Sequence, residues 1–486
     1  MIYIQDIKLE DLNALIIPVF EDEVSKYDEV EKLKSAKVFT GKEGESFTTT
    51  SVGETIQYKI YVGLGKLSDI TGNTLREAIA TAARTAVSLK IKKLGVDSIK
   101  SENICLGGIV KIITEAMYLA TYKFDKYKTT TENKLDNHFD LFDVYILGVP
   151  ASEIEAQQKV VAQTLHVVKG VMIARDLVNE PSNHIYPESL ANYVVDMGKN
   201  CGIEVEIFDE AQIKALKMEA FLSVGMGSAQ KPRLIVMRYK GNPESDYTLG
   251  LVGKGLTYDT GGYSLKPTDS MKTMHSDMGG AGAVIGTMYA LAENKVKQNV
   301  VAVVAACENA ISGDSYKPGD IISSMSGKTI EILNTDAEGR LTLADAMTYI
   351  IRKENVNEVI DLATLTGAAL VALGDTTTAV VTNNQDFFES LRKCSEKTGE
   401  QFWLLPSFKE YVKMNKSEVA DLKNLGGRFA GTITAGLFVG EFVENNIPWM
   451  HLDIAGTAWH EAINGIDVKG ATGAPVRTLF HFISHR

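Results

Sequence analysis

The chain has 486 residues, 45% of them hydrophobic and 23% charged, a balance that suits a folded globular protein of more than one hydrophobic core and excludes a disordered chain. Its formal net charge of −12 opposes broad affinity for nucleic acid or anionic membranes, which would be repelled at long range. Cys105, Cys201, Cys307 and Cys394 stand far apart with no C-x-x-C pair, which excludes a zinc ribbon or small disulfide framework and fits reduced, packing cysteines.

The opening MIYIQDIKLEDLNALIIPVF carries Asp6, Glu10 and Asp11 where a secretory leader needs a basic region and an unbroken apolar run, so a cytoplasmic protein is expected. NALIIPVF, YKIYVGLG and LFDVYILG predict strands and residues 74–94 a helix, giving a smaller N-terminal α/β domain over residues 1–165. That part concentrates no carboxylates, histidines or reactive side chains, so its expected role is architectural or in oligomerisation. Residues 150–183 predict one long helix ending near Asn179, because Pro181 cannot continue it, and the domain boundary is expected along it.

In the larger domain, residues 166–486, RLIVMRY, TLGLVGKGLTYD, NVVAVVAAC, VNEVIDLATLTG and WMHLDIAG predict strands separated by helices. Short, continuously apolar strands of this kind predict a mixed, largely parallel central sheet flanked by helices, with ligands bound beyond the carboxyl ends of its strands. VVAVVAAC is too short to cross a bilayer. Leu343, Ala346, Met347, Ile350 and Ile351 form one apolar helical stripe. No repeat of solenoid or propeller length is present.

Charge collects at three places in this domain. LVGKGLTYDTGGYSLKP carries Lys254, Asp259 and Lys266 around the glycine pair Gly261 and Gly262, where the strand must turn sharply. HSDMGGAGAV places Asp277 before a helix start, and EILNTDAEGRL places Asp336, Glu338 and Arg340 at alternate positions where an extended backbone would point all three one way before a helix begins. Singly, Lys254 could reach solvent, Asp259 form an Asx-turn, Asp277 cap a helix and Asp336 pair with Arg340. Together, four carboxylates at predicted strand ends or turns would repel one another in a single cleft unless cations compensate. Lys254, Lys266 and Arg340 supply too little charge, and a pair of divalent ions would complete a hydrolytic site of the two-metal kind, the oxygen-rich set favouring Zn, Mn, Mg or Co. HEAIN at residues 460–464 has Asn464 where a zinc signature needs its second histidine, SGKT at 326–329 lacks the leading glycine of a phosphate loop, and no G-x-S-x-G elbow is present.

NTDAEGRL and VGKGLTYDTGGYSLKP, with RDLVNEPSN, SDMGGA, DLATLTGA, HLDIAGTAW and ATGAPVRTL, closely resemble the leucyl aminopeptidase (cytosol aminopeptidase) family, peptidase family M17, over roughly residues 170–486. The resemblance implies an aminopeptidase that binds two divalent ions, Zn or Mn with Mg or Co as alternatives, and acts on peptides with a free N-terminus. By that resemblance Asp259, Asp336 and Glu338 bind one ion, Lys254, Asp259, Asp277 and Glu338 bind the other, and Lys266 and Arg340 are catalytic, Arg340 holding a bicarbonate general base. Met274, Thr364, Leu365 and Gly367 match substrate-binding positions, with the Leu365 carbonyl receiving the substrate amine and apolar surroundings suiting leucine or methionine. The family is homohexameric. Tyr258, Thr260, Gly282 and Gly436 depart from its usual residues, which bears on pocket shape alone. The competing readings are a di-metal hydrolase that is not a peptidase and a moonlighting DNA-binding regulator, the latter opposed by the acidic balance.

Overall fold

The computed structural model describes residues 1–53, 56–129 and 143–486, so the first two residues of LFDVYILG lie outside the described residues. The chain divides into two compact units, Met1–Val168 with Ala462–Lys469, and Lys169–Glu461 with Gly470–Arg486. The long helix runs Ile154–Asn179, as Pro181 requires, and the division falls within it. The excursion Ala462–Lys469 goes with the first unit, where Arg84 Nη1 donates to the Gly465 carbonyl at 2.9 Å, an arrangement that a single cut near residue 165 does not include.

The first unit is built on a six-stranded sheet in the order Ile2–Ile4, Asp143–Leu147, Lys93–Asp97, Ala14–Val19, Ile56–Gly63 and Ser46–Val52, parallel except for the last pair. The predicted helix over 74–94 is shorter, Gly72–Ser88: Thr71 caps its start by accepting from Thr74 N at 3.1 Å, and Lys90 at φ 56° turns the chain back. Lys93 and Leu94, expected as the end of that helix, instead open the strand Lys93–Asp97, which pairs in register with Ala14–Ile16.

The second unit holds an eight-stranded mixed sheet ordered Gln401–Leu404, Thr377–Thr382, Trp449–Asp453, Glu358–Ala363, Thr248–Asp259, Asn299–Asn309, Arg233–Lys240 and Glu204–Phe208. Its middle four strands, from Trp449–Asp453 to Asn299–Asn309, are mutually parallel. They are almost wholly buried, which explains their unbroken apolar runs. A Cβ at Gly253 would stand 2.8 Å from Ala281 Cα, and one at Gly250 3.1 Å from Ile350 Cδ1. Because these glycines are an odd number of residues apart on one strand, the helices Gly279–Glu293 and Gly339–Glu354 cover opposite faces of the sheet. Parallel alignment brings Asp453, Ala363, Asp259 and Asn309, each the last residue of its strand, to the same edge.

Helix Gly279–Glu293 can lie that close only because its first residues lack side chains. A Cβ at Gly280 would sit 2.1 Å from the Leu362 carbonyl oxygen and 3.0 Å from Lys254 N, both rigid backbone atoms. Gly280→Ala is expected to lower unfolding free energy by about 1–3 kcal/mol or to abolish folding, whereas Gly313→Ala, whose Cβ would meet nothing within 4 Å, should change it by less than about 0.5 kcal/mol. Denaturant midpoints check this, and equal midpoints would contradict the packing argument.

Candidate metal centre at the carboxyl edge of the sheet

Lys254 lies inside the strand Thr248–Asp259 and is 2% exposed, so it does not reach solvent. Its ammonium lies 2.8 Å from Asp277 Oδ2 and 2.8 Å from Glu338 Oε1, and it donates to Asp277 Oδ1 at 2.8 Å and to the Thr364 carbonyl at 3.0 Å. Room for its chain comes from Gly339, where a Cβ would stand 2.4 Å from Lys254 Cε. A second lysine, Lys266, lies 2.9 Å from Asp259 Oδ2 and 2.5 Å from Asp336 Oδ1. Each lysine thus bridges two carboxylates.

Asp259 does form the Asx-turn expected of it, accepting from Gly261 N at 2.8 Å, and also accepts from Asn309 Nδ2 at 2.8 Å. The turn reverses through Gly261 at φ 84° and Gly262 at φ 64° and returns Lys266 to the strand end it left. Thr335 ties this turn to the next, its hydroxyl donating to the Gly261 carbonyl at 2.7 Å and accepting from Ser264 N at 2.8 Å. Asp277 is not a helix cap: no side chain caps Gly279–Glu293, and Asp277 Oδ1 instead accepts from Thr364 Oγ1 at 2.8 Å.

The alternation expected over Asp336, Glu338 and Arg340 is not an extended segment. Asn334 Oδ1 accepts from Asp336 N at 2.7 Å and folds the chain into a turn, Glu338 is the N-cap residue at φ −82° and ψ −37°, and Arg340 is already helical. Asp336 pairs with Lys266 rather than with Arg340. Arg340 is buried and donates from Nη1 to the Asn424 carbonyl at 2.8 Å, while its Nε has no hydrogen-bond partner. The turn still delivers both carboxylates: oxygens of Asp259, Asp336 and Glu338 lie within 4.8 Å of one another. Asp277 joins them through Lys254.

The electrostatics follow from this crowding. Burial, reinforced by Glu338 and Asp277, holds the Asp259 carboxyl well above its ordinary range; burial also pushes Asp277 up to about 6 and raises Asp336. Glu338 goes the other way, because Lys254 and Lys266 outweigh its desolvation. Burial works against charge on both lysines, yet the carboxylates facing them hold both above the ordinary lysine value. Burial lowers Arg340 to about 10. Four carboxylates against two bridging lysines leave negative charge in excess, and neither Asp277 Oδ2 nor Asp336 Oδ1 has an aligned hydrogen-bond donor, despite the nearby lysines. A converging oxygen set with unsatisfied acceptors and excess negative charge fits divalent cations.

Among the substrate positions, Thr364 meets Asp277 directly, Leu365 is half-buried against the core, Met274 opens the short turn Met274–Met278 that carries Asp277, and Gly367 is exposed at the start of the helix Gly367–Leu373. Sequence reasoning passed over Asn309, Thr335 and Asp453. Asn309 and Asp453 carried a usable signal, since each is a polar residue that closes a buried apolar strand.

A two-domain α/β protein with an acidic, lysine-bridged cluster at the carboxyl edge of its larger sheet has the architecture of a metal-dependent hydrolase. Residues 172–480 match the model of the cytosol aminopeptidase family, catalytic domain, and residues 16–131 match that family's N-terminal domain. A probable cytosol aminopeptidase of Clostridium perfringens is 50% identical over 99% of this chain and 98% of its own length, and one of Alkaliphilus oremlandii is 44% identical over 97% and 96%. Among solved structures, the bottromycin maturation enzyme BotP in complex with Mn aligns at TM-score 0.87 and 30% identity over 98% of this chain and 99% of its own. A mutant of tomato leucine aminopeptidase aligns at 0.87 and 31%, over 100% and 96%. The chain belongs to the cytosol aminopeptidase family and is a metal-dependent aminopeptidase that acts on peptides.

Removing Lys254 should expose the repulsion it balances. In chelator-treated protein, Lys254→Met is expected to lower stability by about 3–5 kcal/mol at pH 8. The loss should shrink as pH falls from 8 to 5: Lys254 holds down the Asp277 carboxyl, which burial raises to about 6, so removing the lysine raises it further. A carboxyl raised in the folded state costs stability as pH rises and returns it as pH falls, more steeply in the variant. Urea unfolding at the two pH values checks this, and a loss independent of pH would contradict it.

Proposed function

We propose that the acidic cluster holds two divalent ions, Zn or Mn with Mg or Co as alternatives: Asp259, Asp336 and Glu338 around one, and Lys254, Asp277, Asp259 and Glu338 around the other. The observation that carries this reading is the approach of Asp259, Asp336 and Glu338 oxygens to within 4.8 Å on a buried sheet edge. When bound, such ions supply Lewis acidity and activate water. The chain's own residues do the rest. Lys266, at the mouth of the cluster, polarises the scissile carbonyl and stabilises the charge that develops on its oxygen. Arg340, with an unpartnered Nε, holds bicarbonate as the general base. Met274, Thr364, Leu365 and Gly367 form the pocket for the first side chain, and the Leu365 carbonyl takes the free α-amine, which confines cleavage to the first peptide bond. The half-buried Met274 and Leu365 favour leucine or a similar apolar residue.

Residues 166–486 on this reading are the catalytic part, and residues 1–165 serve architecture and assembly of a homohexamer. A cytoplasmic location agrees with the naming of the relatives; among the described residues no helix is long and apolar enough to cross a membrane.

Leucine p-nitroanilide should be hydrolysed at least about a hundredfold faster than its N-acetyl form, since the acetyl group removes the amine that buried acceptors await. Glycine p-nitroanilide should be slower than leucine, and Lys266→Ala should lose about 10²–10³ in kcat. Equal cleavage of the free and acetylated anilides, followed by release of p-nitroaniline, would sink the reading in favour of a hydrolase that ignores the amine.

A further inference from the structure

The strand Trp449–Asp453 ends on a carboxylate that the proposed chemistry leaves unused. Asp453 is 1% exposed. Its Oδ1 accepts from the main-chain N–H groups of Leu365 at 3.2 Å, Thr366 at 3.4 Å and Ala455 at 3.1 Å, and its Oδ2 accepts from the Thr366 hydroxyl at 2.6 Å. Thr366 Oγ1 also accepts from Ala369 N at 3.2 Å and lies 2.8 Å from Thr432 Oγ1. With its single proton given to Asp453, that hydroxyl can only accept from the other two, so every group in the network has a defined role. A buried carboxylate gathering several donors is a rigid anchor.

What the anchor fixes is the direction of two peptide planes. In a trans peptide the carbonyl of one residue points opposite to the N–H of the next. With the Leu365 N–H turned toward Asp453, the Thr364 carbonyl must face away from it, and there it accepts from Lys254 Nζ at 3.0 Å. By the same rule, the Thr366 N–H bond to Asp453 turns the Leu365 carbonyl away from Asp453. Thr364 is fastened to the acidic cluster as well, through its hydroxyl bond to Asp277 Oδ1 at 2.8 Å. The segment Thr364–Thr366 is therefore stretched between Asp453 behind it and the acidic cluster in front.

We propose that Asp453 is a positioning residue of the peptidase site, which orients the Thr364 and Leu365 carbonyls so that the first accepts from Lys254 and the second accepts the α-amine of the peptide's first residue. This rests on the reading that the free amine is recognised at Leu365, and the two stand or fall on separate results. Asp453 touches no reacting atom; it acts through the two carbonyls.

The test measures competitive inhibition of the metal-loaded enzyme by leucine hydroxamate and by 4-methylpentanohydroxamate, which differ in the α-amine alone. Wild-type enzyme should prefer the amine-bearing compound by roughly tenfold or more, the worth of a hydrogen bond to a charged group. Asp453→Ala should bring the two inhibition constants to within about threefold of each other, whereas Asp453→Asn, which keeps an acceptor for the main-chain donors, should retain most of the preference. Thr366→Val removes the hydroxyl, with its bonds to Asp453, Ala369 and Thr432, but keeps the main-chain donors to Asp453; it should give an intermediate ratio, which keeps the question decidable if the alanine variant does not fold. A ratio left intact in Asp453→Ala, or in Thr366→Val where the former cannot be made, overturns the role of Asp453. Both constants rising together, as for a purely structural residue, overturns it as well. A wild-type ratio near one overturns amine recognition itself, and the proposal with it.

Discussion

Lys254 and Lys266 each lie between two carboxylates at the carboxyl ends of the parallel strands in a mixed sheet, and the larger domain is organised around keeping that crowded set together. Burying like charges side by side is costly, and the cost grows as water is excluded. The strands that deliver Lys254, Asp259 and Asn309 are nevertheless buried along almost their whole length. Their apolar packing must supply the stability that the acidic edge consumes. The arrangement is tolerable because two ammonium groups already sit among the oxygens. It is incomplete because the acids still outnumber them, which is the condition under which dications bind.

Close backbone approach is the second constraint. Gly339 leaves space for the Lys254 chain, Gly280 lets the helix behind Asp277 touch the strand carrying Lys254, and Gly261 and Gly262 reverse the chain so that Lys266 returns to Asp259. None of these residues has a side chain to contribute chemistry. Each sets a distance between groups that do, so the spacing of the cluster is written partly in residues that a search for reactive side chains overlooks.

Much of this was legible in the sequence. Continuously apolar runs marked strands in RLIVMRY, TLGLVGKGLTYD, NVVAVVAAC, VNEVIDLATLTG and WMHLDIAG, and the structure has a strand at each, the last two stopping at Ala363 and Asp453. The turn at Gly261 and Gly262 followed from the glycine pair itself. What misled was local pattern without partner information. Lys93 and Leu94 read as the tail of a helix until the pairing of their strand with Ala14–Ile16 is known. Asp336, Glu338 and Arg340 alternate like a strand, yet the side chain of Asn334 folds them into a turn through a bond that periodicity does not register. Asp453 was marked by its place at the end of a buried strand, but its bonding was not legible, because its donors, Leu365 and Thr366, lie nearly ninety positions earlier in the chain.

The central claim is that the acidic edge is a place for two dications, with Asp259 and Glu338 shared between them. Equilibrium dialysis of the chelator-stripped protein against Mn²⁺, read by elemental analysis, tests it without reference to turnover. Saturation near two ions per chain is expected for the natural sequence, and less than one for a variant carrying Asp259→Asn and Glu338→Gln. Two tightly held ions in that variant would contradict it.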